Sequence, residues 1–503
     1  MDRRLIFSPN SPEPYFKPFL ILISVIVVFR LGFITLFPLS MDEGYYWLWS
    51  QHPSLSYYDH PPMVGYMIGV TTSIFGNTEF GVRVGAVLLI TFLSWLVYRI
   101  STDIFSDSRI GFYTALLLNS ILIFDLGAVV MTPDTPIGFF WGLTVFAVFK
   151  VIRTGKGTWW YLAGLFCGLG LLSKYTAILL VPCIFLFLLM TQYRFWLMKK
   201  EPYLAFFLSL LLFSPVVYWN WQHEWISFGF QIGHGMAASS KSPLKHFFNF
   251  LGSQFAVLTP FVFLALIWAC LGIGHEGWKK GKDEYKFLFF LSAPVLAFFF
   301  LNSLRTKIEG NWAVTGYFTA TVGAVGYYEI LLREKKGLIR KFTKGFGLVA
   351  LISGLVITGF LYLQTVSTVI PMPKRTNLDK RFYGWEQIAS EVDRITMDQS
   401  KQPFLFGNRY QIISLMTFYT KGHKPAYMID GENRFPYLAP VDHLIGQDGF
   451  YISEKGRNQI DRVRMFFGSV EMVAEVEITR AGELVGVYLL YQCYNYKGGL
   501  IKV

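Results

Sequence analysis

Long apolar runs separated by short polar loops fill the first 365 positions of the chain. Eleven of them approach the roughly 20 residues a helix needs to cross a bilayer. They lie at 17–38, 79–100, 110–131, 137–153, 159–173, 175–191, 203–219, 254–272, 286–302, 312–331 and 345–365. Residues 63–75 are apolar but shorter, and read as an interfacial helix. The pattern changes from 366 onward. Helical apolar spacing at 382–395 is followed by short β-like runs at 404–406, 426–429, 449–453, 473–478 and 485–491. The expected architecture is a polytopic α-helical membrane protein with about eleven transmembrane helices (1–365) and a small C-terminal α/β domain (366–503). No internal repeat and no low-complexity tract interrupts it.

Charge then sets the orientation. The chain is 53% hydrophobic and only 16% charged, with a net charge of +12. Most cations outside the C-terminal part fall in short loops between apolar runs, which is a membrane-orientation pattern and not a nucleic-acid footprint. One alternating set of loops, starting with the N-terminus, carries 21 Lys and Arg; the opposite set carries 5. The base-rich set is expected in the cytoplasm. An odd number of spans then puts the C-terminal domain outside, in the periplasm of a bacterial inner membrane. Arg3, Arg4 and Lys17 precede the first run, and nothing after it reads as a signal-peptidase site, so it is expected to be a retained span. The four cysteines (167, 183, 270 and 493) form neither a disulfide framework nor a CxxC metal signature.

The chemically suggestive residues all fall in the base-poor set. Asp42 and Glu43 follow the first span; adjacent residues point different ways on a helix or strand, so at most one is the working carboxylate. A buried carboxylate there could act as general base toward an acceptor hydroxyl or amine. Tyr57 and Tyr58 lead into Asp59-His60-Pro61-Pro62, where the proline pair stiffens the turn. Asp59 and His60 are ordinary divalent-metal ligands, and with Asp134 or His223 they could hold Zn²⁺ or Mn²⁺. Asp134 lies between two prolines and could also cap the following span. Lys174, Arg305 and Lys307 are three of the few cations on this face and suit a phosphate. Asn311 and His223 complete the polar set as pocket residues. A sugar on a lipid phosphate has a leaving group already stable as an anion, so it needs a base, cations and a cavity, but no general acid.

With these residues in order, the membrane part resembles the GT-C integral-membrane glycosyltransferases: the dolichyl-phosphate-mannose protein mannosyltransferases (family 39) and the bacterial aminoarabinose and lipid A glycosyltransferases. The carriers are Asp42-Glu43, Tyr58-Asp59-His60-Pro61-Pro62, Thr132-Pro133-Asp134-Thr135-Pro136 and Gly170-Leu171-Leu172-Ser173-Lys174-Tyr175. The resemblance implies polyprenyl-phosphate-linked donors and inversion at the anomeric carbon. It further implies Asp42 as the acid-base residue, Asp59 and Asp134 as active-site carboxylates, and Lys174 on the donor phosphate. The aminoarabinose transferases typically carry Glu-Lys-Pro-Pro where this chain has Asp59-His60-Pro61-Pro62. That missing lysine argues against aminoarabinose as the sugar and leaves His60 as a weaker phosphate ligand or a metal ligand. Gly407-Asn408-Arg409-Tyr410-Gln411, followed by Phe418-Tyr419, is similar to bacterial members but receives no role.

The expected function is transfer of a hexosyl or pentosyl group from a polyprenyl phosphate to a lipid A-like lipid, a glycan or a protein, with no required cofactor. The alternative is a polyprenyl-lipid transporter or flippase, for which Arg30, Arg83 and Asp125 within the apolar runs would be the pathway charges. A membrane-anchored binding protein is the third reading, and eleven spans make an extravagant anchor for it.

Overall fold

The computed structural model describes residues 13–236, 242–370, 379–397, 402–429, 431, 434, 435, 437 and 441–501. Arg3, Arg4 and Lys241, which entered the orientation count, lie outside the described residues. The helices are α1 (Phe16–Phe33), α2 (Met41–Gln51), α3 (Met63–Phe75), α4 (Glu79–Phe105), α5 (Ser108–Leu118), α6 (Leu122–Val129) and α7 (Asp134–Thr154). They continue with α8 (Thr158–Leu171), α9 (Leu180–Leu189), α10 (Glu201–Gln222), α11 (Ile226–Met236), α12 (Pro243–Leu258), α13 (Pro260–Lys279) and α14 (Asp283–Phe290). Then come α15 (Ala293–Asn302), α16 (Val314–Glu334), α17 (Gly337–Ser367), α18 (Asp379–Phe382), α19 (Trp385–Thr396), α20 (Tyr410–Tyr419) and α21 (Ile460–Met465).

Among the described residues, seven helices are long and apolar enough to cross a membrane, counting α14 and α15 together, and two bent pairs bring the number to nine. The other two expected spans are α8, with 14 residues, and α16. Every residue of α16 from Val314 to Gly326 is buried. A helix that faces other helices instead of lipid can be built from Thr, Gly and Ala, which lowers its hydropathy without harm. The helix expected at 63–75 is α3.

The α5–α6 pair bends by 70°. At the break, the Asn119 amide donates to Ser94 Oγ (2.9 Å) and to the Ala115 carbonyl (2.8 Å). Gly354 of α17 sits against it, where a Cβ would lie 2.7 Å from the Ser120 carbonyl. The bend matters to the outer face because it sets where α6 delivers Met131 and the Thr132–Pro136 loop.

The C-terminal unit is a five-stranded sheet in the order β2-β1-β3-β5-β4, where β1 is Phe404–Gly407, β2 Ala426–Met428, β3 Gly449–Glu454, β4 Phe467–Arg480 and β5 Glu483–Tyr496. The first three strands are parallel, and β5 and β4 are antiparallel additions. The sequence pattern located all five but began β4 six residues late. Its missing half is an edge strand, exposed on most positions, where period-2 apolarity is not required.

Two features lock this unit to the membrane part. Arg480, in the β4–β5 hairpin, donates to the last carbonyls of α17 at Thr365 (2.6 Å) and Val366 (2.9 Å) and to Thr368 Oγ1 (2.6 Å). A cation at a helix C-terminus satisfies carbonyls that have no partner within the helix. Second, one hydrophobic cluster runs from Trp47 and Trp49 of α2 through Leu415 and Met416 of α20 to Ile388 of α19. Gly44 permits it: a Cβ there would meet Leu415 Cδ2 at 2.6 Å.

Candidate active site

The face that carries the candidate residues is organised by α2. Ser40 caps it in a reciprocal arrangement, its hydroxyl accepting from the Glu43 N–H and Glu43 Oε2 accepting from the Ser40 N–H. Glu43 is then fully engaged. Its carboxylate also accepts from Arg83 Nε (2.8 Å), Arg83 Nη2 (2.7 Å) and the Met131 N–H (3.1 Å), and neither Glu43 nor Arg83 is exposed. Arg83 spends its other donors on the carbonyls of Ile34, Phe37 and Pro38. Glu43 is therefore a clamp joining α2, α4, the end of α1 and the end of α6, with no lone pair left for an acceptor. This corrects its placement among the catalytic residues.

Asp42, the preceding residue on the same helix turn, is half-buried and hydrogen-bonded by Tyr410. Burial raises its carboxyl pKa; the Arg381 charge opposes that rise, and Glu43 adds to it. A raised pKa makes the ionised form a stronger base. The hydroxyl of Tyr46, buried beside it, is within electrostatic reach of Asp42 on α2, Asp59 in the segment after α2 and Asp134 at the start of α7.

Asp134 opens α7 but does not cap it. Its carboxylate instead takes Lys174 Nζ at 2.7 Å and Asn311 Nδ2 at 2.6 Å, tying the second, third and fifth outer loops into one cluster. Lys174 is buried at the junction of α8 with the 3₁₀ turn Tyr175–Leu179. Arg305 and Lys307 are exposed beyond α15, and Lys307 pairs with Glu309 at 2.6 Å, so neither joins the Lys174 cluster. That separates the expected three-cation set into one buried cation and two exposed ones.

A cavity of about 160 Å³ is lined by Tyr45, Tyr46, Asp59, His60, Phe230, Gln231, Trp312 and Tyr410. Asp59 is ion-paired with Arg434, and the Gln231 amide donates to its backbone carbonyl. The Arg434 guanidinium lies over the rings of Tyr410 (4.4 Å) and Tyr58 (4.8 Å). Burial raises the Asp59 pKa, and Arg434 and Tyr45 hold it down. Tyr57 does not line this cavity as expected: its ring stacks on Trp49 at 4.1 Å and its hydroxyl donates toward the Trp49 and His52 carbonyls. His223 stacks on Trp219 at 4.0 Å with Nδ1 against the Trp219 carbonyl, and it does not line the cavity either.

The family described as dolichyl-phosphate-mannose-protein mannosyltransferase matches residues 59–219, which include Asp59, Asp134 and Lys174. A lipid A galacturonosyltransferase of Rhizobium johnstonii is 25% identical over 393 residues, 76% of this chain and 77% of that protein. ArnT of Cupriavidus metallidurans superposes with a TM-score of 0.62 at 13% identity, covering 94% of this chain and 98% of that one. This chain has the GT-C fold.

An undecaprenyl phosphate-alpha-4-amino-4-deoxy-L-arabinose arabinosyl transferase of Pseudomonas fluorescens is 27% identical over 267 residues, 51% of this chain but under half (46%) of that relative. The Cupriavidus ArnT has also been solved bound to undecaprenyl phosphate, with a TM-score of 0.61 to this chain at 14% identity and coverage of 95% and 98%. These GT-C relatives support a transferase over a transporter. The intramembrane charges agree, because Arg30 of α1 is paired with Asp125 of α6 at 2.5 Å, both buried, with Tyr362 of α17 beside them. Together with the Arg83–Glu43 clamp, this makes all three of the expected pathway charges helix-to-helix ties.

The candidate site contains residues the sequence reading missed. Arg434, Tyr410 and Arg381 come from the C-terminal unit, and their partners Asp59 and Asp42 lie far upstream. The motif without a role, Gly407 to Tyr419, turns out to be the segment that lays Tyr410 over Asp42 and seats α20 on α2. Its exposed-looking aromatics were the available signal.

The metal ligands expected from Asp59, His60, Asp134 and His223 are not assembled. Among the described residues no three His, Cys, Asp or Glu groups are placed to share an ion. Asp59 and Asp134 are already paired with Arg434 and Lys174. Exhaustive chelation, verified by elemental analysis, is accordingly expected to leave the transfer rate unchanged; loss of rate restored by Zn²⁺ or Mn²⁺ would revive the metal.

Proposed function

We propose that this protein is an inverting glycosyltransferase that moves a sugar from a polyprenyl-phosphate-linked donor to a lipid, glycan or protein acceptor. It works at the periplasmic face of a bacterial inner membrane, with its N-terminus cytoplasmic and its C-terminal unit periplasmic. The observation that carries this reading is the buried Lys174 bonded at 2.7 Å to Asp134, which Asn311 also holds at 2.6 Å, with Asp59 and Tyr46 together lining the 160 Å³ cavity.

In this mechanism Asp42 accepts the proton of the acceptor hydroxyl or amine as that atom attacks the anomeric carbon. The bond from that carbon to the phosphate oxygen breaks on the opposite side, which inverts the centre, and polyprenyl phosphate departs as an anion. Lys174 has three donors and gives one to Asp134, so it can also meet the departing phosphate. Asn311 and Asp134 fix its position. Arg305 and Lys307 stand at the rim, where the carrier's phosphate would enter from the lipid. The names of the Rhizobium and Pseudomonas relatives supply precedents for donor and acceptor.

Release of polyprenyl phosphate from a labelled donor tests the reading directly. Lys174→Ala is expected to lower kcat/KM for the donor by roughly 10- to 100-fold, the worth of one or two charge-assisted hydrogen bonds. Unchanged donor kinetics would make Lys174 only the counter-ion of Asp134. Purified protein that releases no polyprenyl phosphate with any acceptor would overturn the transferase reading itself.

A further inference from the structure

Asn311 can hold Asp134 only if its own backbone is held. It lies in the 3₁₀ turn Gly310–Ala313, four residues that lead into α16. A turn this short has too few internal hydrogen bonds to fix its own position. The same turn carries Trp312 into the wall of the 160 Å³ cavity. Whatever anchors it therefore sets two parts of the site at once.

The anchor is α12, whose buried face is His246, Phe250, Gln254 and Leu258 at a spacing of four residues. Gln254 is fully buried, and both ends of its amide are spent. Its Nε2 donates to the Gly310 carbonyl at 3.0 Å and to Ser253 Oγ at 3.2 Å. Its Oε1 accepts from the Tyr317 hydroxyl of α16 at 2.8 Å. A backbone carbonyl only accepts, so the amide works in one orientation alone. Gly310 lets the turn come this close: a Cβ there would lie 3.0 Å from both Ser253 Cβ and Oγ. The Gly310 carbonyl and the Asn311 N and Cα share one rigid peptide plane. Holding that carbonyl thus fixes the atom from which the Asn311 side chain springs. From there Asn311 Nδ2 reaches one Asp134 oxygen at 2.6 Å, and Lys174 Nζ takes the other at 2.7 Å.

We propose that Gln254 is a positioning residue for the donor-phosphate site: it pins the Gly310–Ala313 turn to α12 and, through Asn311, keeps Asp134 and Lys174 in place. The link to the donor rests on the transferase reading above; the anchoring of the turn does not.

Full-length protein in nanodiscs tests it with Gln254→Met, which keeps the side chain's length and removes its donors and its acceptor. Donor kcat/KM is expected to fall about tenfold, within the ~10²-fold that a displacement of ~1 Å can cost. Adding Gln254→Met to Asn311→Ala should cost less than about twofold more, because both break one chain of contacts. Gly310→Ala removes no hydrogen-bonding group and should give the same kinetic defect by pushing the turn off Ser253. Gln254→Met also orphans the Tyr317 hydroxyl and should lower the thermal midpoint. Adding Tyr317→Phe removes that orphan, so the midpoint should recover in part while donor kcat/KM stays low. Hydrogen exchange gives a readout without turnover. The amides of 310–313 should exchange faster in Gln254→Met and in Gly310→Ala, with α7 and α16 protected as in wild type.

Losses from Gln254→Met and Asn311→Ala that multiply independently would overturn the proposal. So would kinetics that recover together with the midpoint in the Gln254→Met, Tyr317→Phe protein, since Gln254 would then serve packing alone. Wild-type exchange at 310–313 in both single variants would overturn it as well. Faster exchange there, in a protein whose wild type releases no polyprenyl phosphate, would sink the transferase reading and not the anchored turn.

Discussion

Asp42→Asn is expected to reduce transfer by about 10² to 10⁴, the usual worth of a general base, while the protein inserts, purifies and melts like wild type. The physical reason lies in its surroundings. Asp42 hangs from a helix turn whose structural duties are discharged by Ser40 and Glu43, so an isosteric amide disturbs no ion pair. The pH profile gives an independent reading. A base must be ionised, so the rate should fall as pH drops through the Asp42 pKa. Burial raises that pKa, so the acid limb should begin above the range of an ordinary exposed carboxylate. Arg381→Ala removes an opposing charge and should push the limb higher still. A folded Asp42→Asn enzyme with near-normal turnover, or an acid limb that survives in it, would remove Asp42 from this role.

Glu43→Gln should fail in the opposite way, by stability. It leaves the Arg83 guanidinium buried without its counter-charge, and breaking a buried pair from one side typically costs about 3–5 kcal/mol. The expected outcome is a large drop in thermal midpoint and in yield, with residual activity tracking the folded fraction. Arg83→Met should do similar damage, because the Glu43 carboxylate and the Ile34, Phe37 and Pro38 carbonyls lose their donor together. The double variant should recover part of the loss, since removing both charges spares the desolvation of an unpaired one; a double-mutant cycle measures that coupling. A Glu43→Gln protein of wild-type stability and no activity would instead mean that Glu43, not Asp42, handles the proton.

The contrast between these adjacent carboxylates shows how far sequence reasoning reaches here. The spans and the ordered motifs that carry Asp42, Asp59, Asp134 and Lys174 were legible because the bilayer imposes its thickness on local apolar runs and the motifs are themselves local. Those are properties of consecutive residues. The strands of the C-terminal unit were legible for the same reason, except where β4 runs along an exposed edge.

What the sequence by itself determined, then, is a many-spanning protein with its candidate site residues in one alternating set of loops. Only tertiary structure decided that Glu43 is a clamp and that Asp42 stays out of it, because that depends on Arg83 arriving from α4 and Met131 from the loop after α6. Only tertiary structure paired Asp134 with Lys174 and Asn311, and Asp59 with Arg434 across 375 positions of chain. No local pattern encodes such pairs, since each partner reads as an ordinary loop charge on its own. Their meeting is set by how α2, α20 and the bent α5–α6 pair pack, and packing is a property of the whole chain.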